Sequence, residues 1–245
     1  MRTCLLNLSR VLTRGMRMAN DLAMNVSLLR LFQLVSPALP VGAYAYSQGL
    51  EYAVEEQWLT DEAQTQAWLM GLLKNNLTRL DVPVFVRLYA AWEEGDLEKV
   101  AYWNRYLFVS REARELQQEE QHLGAALLRL LVQLDVDGAL ACKKNKSVCF
   151  ATAFSLAAVR WSIPLRDAAT GYLWAWLENQ VAAAVKLVPL GQTAGQRILS
   201  VGVSEIPLSV TFGMALSDEE VGFMAPSLAM ASAAHESQYS RLFQS

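Results

Sequence analysis

Two histidines, three cysteines and a few paired carboxylates supply most of the side chains in this 245-residue sequence that could hold a metal ion or transfer protons. His122 and His235 lie far apart. His235-Glu236 begins like the His-Glu-x-x-His helix of zinc enzymes, but position 239 is a tyrosine, so the second ligand is missing. We therefore expect no resident metal and no cofactor, although the sequence leaves open transient contact with a travelling metal ion.

The adjacent carboxylates Glu55-Glu56 and Glu119-Glu120 are the candidates for acid–base chemistry. Successive residues of a helix point about 100° apart, so neither pair can converge on one substrate atom. We interpret both pairs as parts of solvated helix faces rather than as catalytic couples.

Motifs of nucleotide hydrolysis and ester hydrolysis are missing as well. The glycine-rich stretch at residues 191–197, Gly-Gln-Thr-Ala-Gly-Gln-Arg, lacks the Lys-Ser/Thr end with which a P-loop surrounds phosphate, and no Gly-x-Ser-x-Gly elbow is present. Cys4, Cys142 and Cys149 form no Cys-x-x-Cys pair and favour reduced thiols in the cytoplasm. The sequence thus predicts a cytoplasmic protein that has no catalytic residues and is not an enzyme.

The composition narrows the possible partners. Hydrophobic residues make up 53% of the chain and charged residues 18%, which leaves less polar surface than a soluble monomer usually has. A large helical core and a partner-covered face explain this equally well. The net charge of −3 gives no reason to expect a nucleic-acid partner, because phosphate binding needs a positive field. No run of about 18 uncharged apolar residues is present, so we expect no transmembrane helix.

Residues 1–23 are predicted to be a disordered extension and residues 24–245 one domain, with Met24 as an alternative start. Four arginines interrupt any hydrophobic region of the extension: Arg2, Arg10, Arg14 and Arg17. No signal-peptide cleavage pattern follows them. A basic amphipathic helix on a membrane surface is the alternative interpretation.

Apolar residues recur at helical spacing along almost the whole chain. Phe85, Leu88, Tyr89 and Trp92 fall at i, i+3, i+4 and i+7, which is a single stripe on one helix face. Similar stripes run through three further stretches: residues 68–80, 116–134 and 169–187. Only residues 209–216 are compatible with an extended strand, and one run does not make a sheet. The expected fold class is all-α, a single globular multi-helix domain.

Capping residues mark several helix ends. Two pairs have the capping-box spacing: Asp61 with Gln64, and Ser217 with Glu220. We expect a helix to begin at each of them. Gly95-Asp96 is typical of the end of one helix followed by the N-cap of the next.

The most polar interruption lies at residues 143–147, where Lys143, Lys144 and Lys146 cluster. We interpret it as a solvated loop between two helical halves, with an anionic docking patch as the alternative. No internal repeat or low-complexity linker divides the chain, which supports one continuous domain.

Two segments have a specific sequence but no catalytic interpretation. The first, Ser-Pro-Ala-Leu-Pro-Val-Gly-Ala-Tyr-Ala-Tyr-Ser-Gln-Gly-Leu-Glu (residues 36–51), is a loop fixed by prolines and glycine that enters a helix near Ser47. Such a loop presents Tyr44 and Tyr46 in a preset geometry, as a binding anchor requires. Local packing of the two tyrosines between helices is the alternative.

The second segment, His-Glu-Ser-Gln-Tyr-Ser-Arg-Leu-Phe-Gln-Ser, covers residues 235–245. Tyr239, Arg241, Leu242 and Phe243 combine aromatic, apolar and arginine side chains, a mixture favoured at interface hot spots. We expect a partner-binding tail, with docking on the chain's own core as the alternative. Both interpretations hold together if the tail becomes ordered only when a partner binds.

Two further motifs accompany the loop at residues 39–51 and the ending at residues 235–243. They are Ser-Arg-Glu-Ala-Arg-Glu-Leu at residues 110–116 and Pro-Leu-Gly-Gln-Thr-Ala-Gly-Gln-Arg at residues 189–197. Together and in this order, the four motifs resemble the F-type urease accessory proteins. The resemblance extends from residue 28 to residue 245 and is weaker between the second and third cysteines.

This resemblance implies an all-α cytoplasmic protein that forms a dimer and acts as a chaperone in nickel insertion into urease. It implies two partners: the D-type accessory protein (H-type in some systems), which contacts the urease apoprotein, and the G-type GTPase, which carries nickel. The chain would bridge these two and couple GTP hydrolysis to nickel delivery, while binding nickel only weakly itself.

The resemblance also implies residue roles. Tyr44 and Arg241 correspond to a tyrosine and a tail arginine with which family members assemble the complex, and the rest of the tail would become ordered against the D-type partner. The predicted partner-binding residues are Tyr44, Tyr46, His235, Glu236, Tyr239, Arg241, Leu242 and Phe243.

A GTPase-activating protein that acts catalytically in trans is the alternative function, because such a protein aims an arginine at the γ-phosphate. Arg111, Arg114 and Arg197 lie in the family-like motifs. For Arg111 we favour pairing with Glu115, four residues further along a helix.

Overall fold

Helices form nearly all the regular structure of the computed structural model, which describes residues 26–142 and 147–245. The α-helices are α1 (residues 26–35), α2 (Leu50–Glu55), α3 (Glu62–Leu72), α4 (Val82–Glu94), α5 (Leu97–Val109), α6 (Arg114–Gln133), α7 (Ala139–Cys142), α8 (Phe150–Arg160), α9 (Leu165–Leu187), α10 (Gln192–Met214) and α11 (Pro226–His235). A π-helical stretch, Leu73–Asp81, joins α3 to α4. No strand occurs in the described ranges, which confirms the all-α prediction. The predicted extension at residues 1–23 and the three clustered lysines lie outside those ranges.

The predicted capping residues act at their expected positions. The Asp61 side chain accepts a hydrogen bond from the Gln64 backbone N–H and begins α3. The Gln64 side chain accepts from the Thr60 N–H at 2.8 Å instead of from the capping residue itself. Gly95 ends α4 at φ 70°, a left-handed conformation that glycine adopts without strain, and Asp96 caps α5.

Two boundary predictions need correction. Ser217 and Glu220 do form a capping box, but it opens only the 3-10 turn Asp218–Glu220. Residues 209–216, which the pattern left compatible with a strand, are helical as far as Met214, where α10 ends. That end of α10 packs closely on the π-helical stretch: a Cβ at Gly213 would lie 2.6 Å from the Thr78 carbonyl oxygen. Tertiary packing therefore stabilises helix where the local pattern was ambiguous.

Helix α8 lies at the centre of the fold, since all its residues from 151 to 158 are buried. It contacts α4, α6 and α9. The stripe predicted from Phe85 to Trp92 is confirmed as the buried face of α4, where Phe85 meets Phe154 of α8 at a ring-centroid distance of 5.9 Å. Fully burying such side chains contributes about 1.5–3 kcal/mol each, so this layer stabilises the single domain.

A smaller apolar cluster at one side of the bundle joins α2, α9 and the chain after α11. Its buried members are Leu50, Ala53, Leu59, Ala183, Ala184 and Phe243. Helix α11 approaches α2 closely at Gly49, which has φ 74° and where a Cβ would lie 2.8 Å from the Ser232 nitrogen. Glycine is thus required here both by conformation and by space.

None of the described helices combines the length and hydropathy needed to cross a lipid bilayer.

Candidate functional site: the tail and the clamp beneath it

Of the two tyrosines in the loop before α2, one is exposed and the other is buried. Gly42 adopts φ 81° and starts the 3-10 turn Ala43–Ala45, on which the Tyr44 side chain is 70% exposed. Tyr46 is only 5% exposed, and its hydroxyl lies 2.8 Å from Nδ1 of His122. Burial, together with the nearby Glu119 carboxyl, raises the pKa of Tyr46. Of these two tyrosines, only Tyr44 is therefore accessible from solvent.

The residues after α11, 236–245, which we name the tail, return to this loop and pair with it. The Gln244 N–H donates to the Ala45 carbonyl at 2.7 Å, and the Ser47 N–H donates to the Ser245 carbonyl at 2.7 Å. Phe243 is buried in the small apolar cluster, with the Lys186 ammonium 5.7 Å from its ring centroid. The tail thus has a backbone contact and one apolar anchor.

Four ionisable side chains hold the tail in place, and we name them the tail clamp: Glu51, Glu115, His235 and, from the tail itself, Arg241. Glu51 of α2 accepts the backbone N–H groups of Leu242 at 2.6 Å and Phe243 at 2.9 Å. Nδ1 of His235 lies 2.7 Å from Glu115, and Nε2 lies 3.2 Å from Glu51. The Arg241 guanidinium donates to the other oxygen of Glu115 at 2.8 Å.

The geometry of the tail clamp suits the holding of a chain segment rather than of a metal ion. Its two carboxylates contact opposite nitrogens of the His235 ring, so the three groups do not converge on one point. Among the described residues, no three histidine, cysteine or acidic side chains are grouped to hold a metal ion. Backbone N–H groups aimed at an ionised carboxylate form strong hydrogen bonds, and here they fix the path of the tail.

Glu119 and Glu120 are buried, and the prediction that they face solvent is wrong. Glu119 accepts from the Gln48 amide at 2.9 Å and from the Ser245 hydroxyl at 3.3 Å. Burial raises its pKa to about 7. Glu120 accepts the Phe150 N–H at 3.0 Å. The partners come from distant parts of the chain, which is why the pattern of α6 alone gave no sign of them.

Arg111 does not pair with Glu115, so that prediction is wrong as well. It precedes the first residue of α6, and the four-residue helical spacing therefore does not apply. Its guanidinium instead donates to Asp81 at 2.5 Å and to Glu120 at 2.5 Å, while the Tyr172 hydroxyl donates to Asp81 at 3.0 Å. We name Asp81, Arg111, Glu120 and Tyr172 the core cluster.

A cleft of about 280 Å³ lies between the core cluster and the loop before α2. Tyr44, Glu119 and Trp176 are among its lining residues. The Trp176 ring nitrogen donates to the Gln48 side chain at 2.8 Å, and this links α9 to the loop. Gln48 adopts φ 52°, which is unusual for a residue other than glycine and shows that the surrounding contacts dictate the backbone here.

The eight predicted partner-binding residues lie at different depths around this site. Tyr44, Glu236, Tyr239, Arg241 and Leu242 are exposed, whereas Tyr46, His235 and Phe243 are buried. The role of all eight in binding a partner stays a prediction. Sequence reasoning missed Glu51 and Glu115 as parts of the site, although each lies inside one of the four motifs.

Fold and site together define an all-helical protein whose buried charges hold its own tail against a loop more than a hundred residues away in sequence. A family model described as UreF matches residues 59–201. The chain is 50% identical to "Urease accessory protein UreF" of Alkalilimnicola ehrlichii over 216 residues, 88% of this chain and 95% of the relative. It is 50% identical to the protein of the same name from Teredinibacter turnerae over 222 residues, 91% and 100% of the two chains.

A third relative of that name, from Chromohalobacter salexigens, is 46% identical over 220 residues, which cover 90% of this chain and 95% of the relative. The chain belongs to the UreF family.

Proposed function

We propose that this chain is a urease maturation factor: a cytoplasmic, non-catalytic chaperone that bridges the D/H-type accessory protein and the G-type GTPase. In this role it forms a homodimer and couples GTP hydrolysis to the delivery of nickel to the urease apoprotein. The relatives named as urease accessory proteins support the part in urease maturation, because they match nearly the whole chain. The bridging role rests on the surface described next.

One observation carries the proposal: the loop with Tyr44 and the tail with Arg241 form one continuous surface. The two segments are joined by the hydrogen bond from the Gln244 N–H to the Ala45 carbonyl at 2.7 Å. Tyr44 is 70% exposed, Tyr239 is fully exposed and the Arg241 side chain is 40% exposed. Motifs nearly two hundred residues apart therefore supply exposed tyrosine and arginine side chains to two joined segments, and these residue types dominate interface hot spots.

The contacts of Arg241 make it the best single residue to test. One of its guanidinium nitrogens donates to Glu115, which fixes the side chain while leaving the rest of the guanidinium accessible. An arginine held in this way loses less rotamer entropy when a partner binds than a free one does. We propose that it donates to a carboxylate or a carbonyl of the D/H-type protein.

Replacing Arg241 by alanine tests this surface. We expect Arg241→Ala to weaken capture of the D/H-type protein about tenfold or more, as loss of a hot-spot arginine does, and to lower urease activation in cells. Arg166→Ala is the matched control, since Arg166 is an exposed arginine on α9 that bonds Thr211. Circular dichroism of both variants checks that helical content is unchanged. Capture that equals that of the unaltered chain would remove the tail from the proposed interface.

The GTPase arm of the proposal has its own test. Arg111 is held by Asp81 and Glu120, and Arg197 pairs with Glu62 at 2.7 Å, so neither is a free arginine for a γ-phosphate. As a scaffold, the chain alone should hydrolyse no GTP. Single-turnover hydrolysis by the G-type protein should not depend on any one arginine of this chain. An acceleration that one arginine substitution abolishes would favour a catalytic role in trans.

A further inference from the structure

The hydrogen bonds around His235 indicate the protonation state of its ring. His235 is fully buried, and both of its ring nitrogens face carboxylate oxygens, of Glu115 and of Glu51. An ionised carboxylate accepts hydrogen bonds and donates none, and a neutral imidazole donates from one nitrogen only. With both carboxylates ionised, only the imidazolium form of His235 satisfies both contacts.

The other donors around Glu51 exclude the opposite arrangement, in which Glu51 is protonated and donates to His235. Its two oxygens already accept the N–H groups of Leu242 and Phe243, at 2.6 and 2.9 Å. Counting the histidine, three donors converge on this carboxylate, as expected for its ionised form. A proton on Glu115 is disfavoured in the same way, because the Arg241 guanidinium donates to that carboxylate at 2.8 Å.

The charges of the tail clamp balance only with this proton in place. Glu51 and Glu115 are negative, Arg241 is positive, and imidazolium at His235 makes the sum zero. Loss of the proton would leave one unbalanced negative charge in a site where Glu51, Glu115 and His235 are all buried. An unpaired buried charge is strongly unfavourable, and the tail can relieve it by detaching and admitting water.

We propose that His235 is a positioning residue, which as a buried imidazolium bridges Glu51 and Glu115 and thereby holds the tail in place, and that loss of this proton to solvent releases the tail. Its consequence for partner binding rests on the function proposed above: His235 sets the position of Arg241 and Leu242 without contacting the partner. The positioning role itself concerns the isolated chain.

Where the released His235 is neutral, the docked tail binds one proton more than the released tail, so docking weakens as the pH rises there. The charged groups facing His235 are Glu51 of α2 and Glu115 of α6, with Arg241 of the tail completing the set. Glu119 also reaches the tail, through the Ser245 hydroxyl at 3.3 Å, and must be separated from His235 in any pH profile.

Amide hydrogen exchange of Leu242 and Phe243 in the isolated chain measures tail docking directly. The protection of both amides, corrected for the intrinsic exchange rate, should fall as the pH rises. His235→Gln should lower their protection about tenfold or more at the acid end and flatten the pH profile. His122→Gln is the matched control, because this second histidine bonds Tyr46 and not the tail.

Glu119→Gln removes the second titrating group that reaches the tail and so separates its effect from that of His235. The fall in protection should persist in this variant, and its disappearance there would overturn the role given to His235. Unchanged protection in His235→Gln across the pH range would overturn it as well.

A measurement on the unaltered chain remains decisive even where His235→Gln does not fold. With ¹⁵N-labelled histidine, and His122→Gln to assign the signals, the His235 ring should show two protonated nitrogens under conditions in which the Leu242 and Phe243 amides are protected. The signals of a neutral tautomer under those conditions would overturn the proposal. Capture of the D/H-type protein is scored separately. Lost capture with a protected tail contradicts the proposed function, and an unprotected tail in the unaltered chain contradicts the role of His235.

Discussion

The core cluster and the tail clamp are built from the same chemical groups and differ in what they hold together. In each, one basic side chain lies between two carboxylates from separate elements: Arg111 between Asp81 and Glu120, and His235 between Glu51 and Glu115. The core cluster ties α6 to the π-helical stretch within the bundle. The tail clamp ties a ten-residue segment to the outside of the bundle.

The core cluster and the tail clamp differ in how easily their residues can separate from the rest of the fold. The Arg111 side chain is 12% exposed and every partner belongs to a packed helix, so the cluster opens only when the bundle unfolds. Arg241 and Leu242 are exposed, and Phe243 is the one apolar side chain of the tail in the core. A few buried apolar contacts allow local opening at much lower free energy than global unfolding. We therefore expect similar ionic contacts to be permanent in the core cluster and detachable in the tail clamp.

The largest effect is expected from Arg111→Ala, which leaves Asp81 and Glu120 buried without their cation. Breaking a buried ion pair in this way costs about 3–5 kcal/mol, because the uncompensated charges remain. Urea denaturation followed by circular dichroism measures the change in unfolding free energy. Arg114→Ala, an exposed position three residues away, should change it by about 0.5 kcal/mol or less. A loss below about 1 kcal/mol for Arg111→Ala would contradict the view of this cluster as a fixed part of the core.

An intermediate effect is expected from Glu119→Gln, at the boundary of the two regions. Burial raises the pKa of Glu119 from 4.5 to about 7, so the folded state binds more protons than the unfolded state between these values. The unfolding free energy of the unaltered chain therefore falls as the pH rises through this window. Glu119→Gln should reduce that fall by about 3 kcal/mol or less.

Denaturation at several pH values checks this effect, with Glu55→Gln on the exposed end of α2 as control. The same slope in Glu119→Gln and in the unaltered chain would show that this carboxyl titrates as it does in solvent.

The smallest effect on global stability is expected from Phe243→Ala. In a main core the same change costs about 3–5 kcal/mol, but here the loss is limited to the free energy of docking the tail, about 2 kcal/mol or less. Exchange of the tail amides should nevertheless approach that of an unstructured chain. Leu242→Ala, at the exposed neighbouring position, should leave both properties unchanged. A destabilisation as large as that of Arg111→Ala would show that the tail is part of the core.

The apolar pattern predicted the helices well, because their burial depends on spacing along the chain. Phe85, Leu88, Tyr89 and Trp92 face the core as their three- and four-residue spacing required. The charged residues could not be placed in the same way. Glu119 and Glu120 look like a solvated pair on a helix wheel. Their burial is made tolerable by partners from elsewhere in the chain, Gln48, Arg111, Phe150 and Ser245.

Local sequence alone determined that this protein is helical, that α3 begins after Asp61, that α4 ends at Gly95, and which motifs are specific. Only the tertiary structure decided which of the predicted site residues are exposed and what the buried ones do. Tyr46, His235 and Phe243 are interior, whereas Tyr44 and Arg241 reach solvent. The physical reason is that helix formation depends on neighbours in sequence, whereas burial of a charge depends on a partner that can lie anywhere in the chain.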